Sequence, residues 1–182
     1  MRVVAGELRG RRIESPRGDT TRPTTDKVRE AVFNALVSLG AVEGARVLDL
    51  FAGTGAMGIE AVSRGASHCV FVENDRAALA TLRANIEALG IAARSTVVQA
   101  DATSPGISAH RADIVVADPP YGFSDWGALL SNAPDGALVI LESGAPITVP
   151  AGWSCLREKR YGRTFVAFLR RTEGAEGTVS AS

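Results

Sequence analysis

The sequence is poor in the residues that support disulfide, metal or thiol chemistry. Its 182 residues include only two cysteines and two histidines. Cys69 and Cys155 each lie in an apolar, strand-like run, and no His, Asp or second Cys stands at metal-ligand spacing from them. We therefore expect two buried free thiols and no metal site. His68 and His110 are isolated from Ser, Cys and other metal ligands, so no chemistry is assigned to them.

Long apolar runs are missing as well. No segment approaches the roughly 18 apolar residues that a membrane span needs. Charged and glycine residues between Gly6 and Arg12 interrupt the N-terminus, so no apolar region of a secretory signal follows the first arginine. These features predict a cytoplasmic protein with no membrane contact. A length of 182 residues with 46% hydrophobic and 22% charged residues is typical of one globular domain.

The chain also has no net charge, but its charges are unevenly distributed. Eight basic and four acidic residues lie between Arg2 and Arg29, and six basic residues and one acidic residue lie between Arg157 and Arg171. Both ends are therefore basic, and the middle compensates for them. Charge alone fits two solvated faces as well as two nucleic-acid contacts.

From Arg46 onward, short apolar runs alternate with helical patterns. Such alternation indicates a parallel, doubly wound α/β sheet. The predicted strands are 47–51, 69–72, 96–98, 114–117 and 137–141, and the predicted helices are 57–63, 75–89 and 126–130.

The two ends of the chain are predicted to differ from this core. Residues 1–23 are expected to form a β-hairpin, with strands at 2–5 and 11–15, followed by a loop. Thr24 or Thr25 is expected to cap a helix that runs to Leu39, within a catalytic domain over residues 24–171. Residues 154–161 and 164–170 are expected to form a closing antiparallel hairpin, and 172–182 a disordered tail.

A glycine-rich loop follows the first predicted strand of the sheet. It contains Gly53, Gly55 and Gly58, the spacing of a dinucleotide-binding turn. Glycines at this place allow a tight turn and a close approach of the ligand, and the next helix presents free N–H groups to an anionic group. The pattern alone fits a nicotinamide, a flavin or S-adenosylmethionine.

Three acids lie in or at the end of three successive predicted strands. Asp49 precedes the glycine loop, where a carboxylate would repel a pyrophosphate but would suit the ammonium group of methionine. Glu73 ends the second strand, where an acid can accept hydrogen bonds from ribose hydroxyls, and Asp101 follows the third, where a carboxylate can accept from an adenine amino group. This set favours S-adenosylmethionine over NAD. The candidate cofactor-binding residues are Asp49, Phe51, Gly53, Thr54, Gly55, Glu73, Asn74, Asp101 and Ala102.

The tetrapeptide Asp118-Pro119-Pro120-Tyr121 follows the fourth strand and supplies the candidate catalytic residues. Two prolines make a stiff loop whose carbonyls face a ligand without competing N–H donors. The Asp118 carboxylate and the Pro119 carbonyl could accept the two hydrogens of an exocyclic base amine and stabilise positive charge on its nitrogen. Tyr121 offers a flat face on which an unpaired base can stack.

These residues leave several functions open. An adenine-N6 methyltransferase or a methyltransferase of protein glutamine uses a similar tetrapeptide, although Asp at position 118 favours a nucleic-acid base over a glutamine amide as the substrate. An NAD-dependent oxidoreductase would use the same glycine loop. A catalytically idle RNA-binding assembly factor could keep the whole fold.

The chain resembles the bacterial 16S ribosomal RNA guanine-N2 methyltransferases of the RsmD type. The resemblance rests on residues 2–6, 9–11 and 21–30, on the glycine loop and Asp118–Tyr121, and on 153–154 and 157–159. It implies a Rossmann-like methyltransferase fold with a seven-stranded, mostly parallel sheet. It also implies methylation of guanine 966 in the small ribosomal subunit or its assembly intermediate by a monomer, with S-adenosylmethionine as the cofactor. The implied RNA contacts are Arg9, Arg11, Arg12, Arg22 and Thr24, whose basic members would neutralise phosphates.

Overall fold

The computed structural model describes residues 1–15 and 23–172, without the side chains of residues 23–25. The expected loop at 16–22, with Arg22, and the expected tail from 173 to 182 therefore lie outside the described residues. Within the described part, no helix has the length and apolar character that crossing a membrane requires.

Four α-helices and seven β-strands make up the described chain. Helix α1 starts at Pro23, whose fixed φ suits the first turn of a helix, one residue before the expected capping position. Two short 3₁₀ turns, Ala92–Arg94 and Pro105–Ala109, precede β3 and β4 and were not predicted. The elements are α1 (Pro23–Ser38), β1 (Arg46–Leu50), α2 (Ala56–Ser63), β2 (His68–Glu73), α3 (Arg76–Leu89), β3 (Ser95–Gln99), β4 (Ile114–Ala117), α4 (Trp126–Ser131), β5 (Leu138–Ser143), β6 (Trp153–Tyr161) and β7 (Thr164–Arg171).

The seven strands form one sheet in the order β3-β2-β1-β4-β5-β7-β6. The first five are parallel, whereas β7 runs antiparallel to both β5 and β6. The expected mostly parallel sheet and its closing hairpin are therefore confirmed. Strands β1, β4 and β5 are apolar and buried along nearly their whole length, as expected of strands covered on both faces.

Helices cover both faces of this sheet. Alternate strand residues, among them Val47, Val116 and Ile140, pack with α1, α2 and α3 on one face. The intervening residues, such as Leu48 and Val139, pack with α4 on the other. Each side of the sheet thus has its own hydrophobic layer.

The N-terminal segment, residues 1–15, folds back on itself but does not form the two expected strands. A single antiparallel bridge joins Arg2 and Arg12. The backbone N–H groups of Val4 and Ala5 donate instead to the carboxylate of Glu60 on α2, at 2.9 and 3.0 Å. Backbone hydrogen bonds still join Met1 to Ile13 and Val3 to Arg11, and the carboxylate on α2 takes the donors of the two residues that follow Val3.

Gly6 allows this close docking. Its φ is +85°, and a Cβ built on it would lie 1.8 Å from the carbonyl oxygen of Ser63 at the end of α2. A larger residue cannot occupy this position without moving the segment.

One expectation about the cysteines is wrong. Cys69 is buried on β2, but Cys155 is exposed on β6. Strand β6 is the edge of the sheet, and its side chains from Cys155 to Arg160 are all exposed. An apolar run that predicts a strand does not by itself predict a covered one.

Candidate active site

The order of the strands reverses between β1 and β4, which pair side by side in the middle of the sheet. In open α/β sheets, ligands bind beyond the carboxyl ends of the strands at such a switch point. The glycine loop follows β1, and Asp118 follows β4. Both predicted motifs therefore lie at the same edge, on either side of the switch point.

The glycine loop adopts a backbone that few residues other than glycine accept. Gly53 and Gly55 have φ values of +55° and +83°, and Phe51 between β1 and the loop has φ +59°. Positive φ in a bulky residue is unusual and is often found at functional sites. Gly58 allows α2 to pack closely against β2, because a Cβ there would lie 2.3 Å from the ring of Phe71 on β2. The loop can thus bring its backbone close to a ligand.

Asp49 connects β1 to the start of α2. Its side chain is almost fully buried, and its Oδ2 accepts a hydrogen bond of 2.8 Å from the backbone N–H of Gly58. Burial raises the pKa of Asp49 to about 7, the Gly58 bond lowers it, and the charges of Asp118 and Glu73 raise it further. The sequence predicted an acid here for an ammonium group, and the structure shows that it also orders the loop.

Backbone donors fix Glu73 at the end of β2. Its Oε2 accepts from the N–H of Gly53 at 2.8 Å, and its Oε1 accepts from the N–H groups of Asn74 and Asp75, both at 2.7 Å. A carboxylate has about four lone-pair positions, so it can accept further hydrogen bonds from hydroxyl groups of a ligand. Glu73 is therefore oriented in advance.

Asp101 beyond β3 is held in a similar way. Its Oδ1 accepts from the backbone N–H and the hydroxyl of Thr103. The side-chain bond, then the backbone bond, lower the pKa of Asp101, so it is ionised at neutral pH. Both bonds use Oδ1, so within the described part of the chain Oδ2 is available as an acceptor.

Two adjoining cavities lie over this edge of the sheet. The outer cleft has a volume of about 680 Å³ and contacts the ends of β2 and β3, including Glu73, Asn74, Asp101 and Ala102. The inner cavity has a volume of about 280 Å³ and contacts the glycine loop and α1. Three residues line both cavities, namely Phe51, Ala78 and Asp118.

Asp118 thus lies where the two cavities meet. The residue has solvent-exposed surface, yet the walls of the cavities surround its carboxylate, and this desolvation raises its pKa to about 6. Pro120 lines the outer cleft, and its carbonyl accepts from the N–H of Phe123. At neutral pH the ionised form of Asp118 predominates, so it can accept hydrogen bonds from a ligand in either cavity.

Tyr121 has 76% of its surface exposed beside Gly144, where a Cβ would come within 2.9 Å of its ring. Phe123 stacks edge-on against Phe51 on one side, with centroids 5.2 Å apart, and against Trp126 on the other, at 4.9 Å. These contacts hold the chain after the tetrapeptide against Phe51, the residue just before the glycine loop.

The structure brings most predicted site residues together but separates some of them. Of the described cofactor-binding and catalytic candidates, Gly55, Pro119 and Tyr121 line neither cavity.

The candidate RNA contacts lie elsewhere. Arg9 lies exposed on the turn that rests on the C-terminal end of α2, and Arg11 donates to the carbonyl of Ala88 near the end of α3. Arg12 pairs with Glu14, and the side chain of Thr24 is not described. These arginines are therefore outside the two cavities.

Two charged residues of the inner cavity are not among the candidates predicted from the sequence. Glu142 lies at the end of β5 and is 5% exposed, and Arg29 on α1 is 2% exposed. Glu142 carries the same signal as Asp49 and Glu73, an acid at the carboxyl end of a buried strand. Arg29 carries none, since a basic residue on a helix usually faces solvent.

The sheet order, the glycine loop, the acids at the strand ends and the Asp-Pro-Pro-Tyr turn together define a Rossmann-like methyltransferase, with the fold of the S-adenosylmethionine-dependent enzymes. The family described as "Conserved hypothetical protein 95" matches residues 1–170. The chain belongs to this family, which includes the ribosomal RNA small subunit methyltransferases D, and the resemblance to RsmD-type enzymes is confirmed.

Individual relatives agree with this family. The chain is 38% identical to ribosomal RNA small subunit methyltransferase D of Escherichia coli, over 100% of this chain and 94% of that protein. It is 30% identical to the protein of the same name in Haemophilus influenzae, over 89% of each. The solved structure of the Escherichia coli protein yhhF, assigned as a methyltransferase, superposes with a TM-score of 0.81 and 35% identity, covering 94% of this chain and 97% of that one.

Proposed function

We propose that this protein uses S-adenosylmethionine to methylate the exocyclic N2 amine of a guanine in 16S ribosomal RNA, at position 966. The observation that carries the proposal is the position of Asp118, at the junction of the two cavities. The outer cleft and the glycine-loop side of the inner cavity can hold the methyl donor, while the side of the inner cavity at Glu142 can admit the acceptor base. Ribosomal RNA as the substrate is supported by the names of the relatives.

The residues of the outer cleft fit S-adenosylmethionine. Glu73, fixed by three backbone N–H groups, would accept hydrogen bonds from the ribose hydroxyls. Asp101 would accept a hydrogen bond from the adenine amino group. Asp49 and the loop at Gly53 and Thr54 would hold the amino acid end in the inner cavity. When bound, the cofactor supplies an electrophilic methyl group on a sulfonium.

The tetrapeptide supplies the groups that act on the base. The amine of guanine is a poor nucleophile because its lone pair is delocalised into the ring. The Asp118 carboxylate and the Pro119 carbonyl accept its two N–H bonds, orient the nitrogen and stabilise the positive charge that develops on it. After methylation, the nitrogen releases a proton, which the Asp118 carboxylate can accept and pass to water. Tyr121 offers its exposed ring to the extruded base.

The substrate is proposed to be the small ribosomal subunit or its assembly intermediate, bound by a monomer. The basic residues of the N-terminal segment and of β6 would contact phosphates outside the two cavities. The guanine would then enter the site as an unpaired base.

The test is to incubate the protein with isotopically labelled S-adenosylmethionine and small subunits from a bacterium that lacks its relative. The 16S ribosomal RNA is digested to nucleosides, analysed by mass spectrometry and mapped for the modified position. We expect labelled N2-methylguanosine at position 966. Labelled N6-methyladenosine, or label on a glutamine of a ribosomal protein, would refute the proposal.

Two further measurements separate the other functions. S-adenosylhomocysteine should raise the melting temperature, whereas NADH should not, and the reverse would favour an oxidoreductase. Asp118→Ala should still bind S-adenosylhomocysteine but should lose methylation. Full complementation of a deletion strain by this variant would favour an idle assembly factor.

A further inference from the structure

The inner cavity contains buried polar groups that make no hydrogen bond within the described part of the chain. The hydroxyl of Ser15 and the Nε of Arg29 have no hydrogen-bond partner there. The carboxyl group of Glu142, whose residue is 5% exposed, lines the same cavity. Buried polar groups are usually paired, so a group of unpaired ones around a cavity points to a polar ligand.

The register of the sheet places Glu142 beside Asp118. Ala117, the last residue of β4, pairs with Leu141 of β5; Asp118 directly follows Ala117, and Glu142 directly follows Leu141. Val116 and Ile140 face the side of the sheet that α1 and α2 cover, so by alternation both acids project to that same side. A ligand amine on Asp118 therefore has Glu142 as its neighbour across the strands.

Arg29 is fixed on the other side of this cavity. Its Nη2 donates to the carbonyl of Arg2 at 2.7 Å and lies 3.1 Å from Asp26, and its Nε lies 3.5 Å from Glu60. These contacts hold the guanidinium in place without using Glu142. The cavity thus presents one acceptor group beside Asp118, together with the hydroxyl of Ser15.

Guanine matches this arrangement and adenine does not. Beside its N2 amine, guanine carries the donor N1–H and then the acceptor O6, whereas the N6 amine of adenine lies beside the acceptor N1. A carboxylate accepts from N1–H of guanine but repels the lone pair of adenine N1. A site built to hydrogen-bond one group discriminates strongly against an analogue that lacks it.

We propose that Glu142 is a specificity-determining residue that accepts a hydrogen bond from N1–H of the target guanine while Asp118 holds its N2 amine. This role rests on the proposed guanine-N2 activity. Burial raises the pKa of Glu142 well above its usual value, Asp118 and Asp49 raise it further, and Arg29 lowers it only in part. An N–H donor bound to the carboxylate stabilises its ionised form, so binding of guanine would favour ionisation of Glu142.

The test compares guanine with 2-aminopurine, which keeps the 2-amino group but has an acceptor at N1. Small subunits are reconstituted with 16S ribosomal RNA that carries either base at the position the wild type methylates, and kcat/KM is measured for each. We expect the wild type to prefer guanine on the order of 100-fold. Glu142→Gln, whose amide can donate to N1, should reduce this preference to about threefold or less, mainly by losing activity on guanine.

The controls separate specificity from folding. Glu87→Gln, at an exposed position on α3, should keep the wild-type preference. Glu142→Asp keeps the carboxylate and should still prefer guanine, at lower kcat/KM for both bases. Stabilisation by S-adenosylhomocysteine shows that each variant is folded, and the Asp variant decides the question if the Gln variant does not fold.

The outcomes distinguish this role from the proposed function. If the wild type methylates guanine and Glu142→Gln keeps the preference, Glu142 has no part in specificity and only this inference is overturned. If the wild type methylates adenine or protein instead, the proposed function falls and the role of Glu142 falls with it.

Discussion

The carboxyl group of Asp118 titrates in the range in which the protein is expected to work. Its pKa is raised to about 6. Only the ionised form can both accept a hydrogen bond from the amine and stabilise the positive charge that develops on its nitrogen. The rate of methyl transfer should therefore fall about tenfold per pH unit below 6 and level off above it. Single-turnover rates between pH 5 and 8 would test this, with circular dichroism to confirm folding. A rate independent of pH over this range would contradict a role for the ionised carboxylate.

Asp49 shows how a functional residue can reduce stability. Its pKa is about 7 in the folded protein, whereas a carboxyl group in an unfolded chain has a pKa near 4. Between about pH 4 and pH 7, Asp49 is therefore protonated in the folded state and ionised in the unfolded state. The stability that the protonated form contributes is complete below about pH 4 and is lost as the pH rises through about 7. At pH 8 the buried charge remains and destabilises the fold.

Replacing Asp49 with Asn removes this charge and keeps an oxygen that can accept from Gly58. We expect Asp49→Asn to be on the order of 1 to 3 kcal/mol more stable than the wild type at pH 8, and to lose most of that advantage near pH 4. Urea unfolding at both pH values measures the difference, with Asp135→Asn, at a 95% exposed side chain, as the control. Weaker S-adenosylhomocysteine binding should accompany the gain. An equal pH dependence of the unfolding free energy in variant and wild type would show that ionised Asp49 does not destabilise the fold.

At the scale of elements, the N-terminal segment depends on one buried side chain of α2. Glu60 is fully buried and accepts from Val4, Ala5 and Arg64, and it also faces Arg29. Loss of its charge would leave two buried guanidinium groups without their main partner. Removing one member of a buried ion pair typically costs 3 to 5 kcal/mol.

We expect Glu60→Gln to destabilise the protein by roughly 3 kcal/mol and to expose the amides of Val4 and Ala5 to hydrogen exchange. Urea unfolding and exchange measured by NMR would check the two effects together. Glu87→Gln on the exposed face of α3 should change neither. If those amides stay protected in the Glu60 variant, the other contacts of the segment, such as its hydrogen bonds to Ser63 and Asn85, are sufficient to hold it.

The elements differ in how far the sequence predicts them. The ranges of β1 to β5 and of α2 to α4 agree with the sequence pattern to within about two residues, because buried strands need continuous apolar runs and helices need their own spacing. The N-terminal segment could not be predicted, because its partners Glu60 and Ser63 lie more than 50 positions away. Glu142 could have been found by the rule that identified Glu73, but its pairing with Asp118 requires the strand order.

Over the whole molecule, the two basic segments lie toward opposite edges of the sheet. Arg94, which precedes the edge strand β3, pairs with Glu7 of the N-terminal segment, whereas β6 forms the other edge. The acids of the site lie between them, at the ends of the central strands. An RNA that spans the molecule would therefore meet positive charge on both sides of an acidic centre, which favours binding by the flanks and entry of a single base.

The contribution of the N-terminal arginines to RNA binding can be measured through its salt dependence. Each lost phosphate contact lowers the slope of log Kd against log salt by about 0.7 to 0.9. We expect the double variant Arg9→Ala/Arg12→Ala to bind small subunits more weakly at low salt, with a slope reduced by 1 to 2, about one unit per arginine. Its affinity for S-adenosylhomocysteine should not change, because neither arginine lines a cavity. Arg83→Ala, an exposed arginine on α3, is the matched control. An unchanged slope in the double variant would exclude this segment from the RNA contact and leave β6 as the basic surface to test.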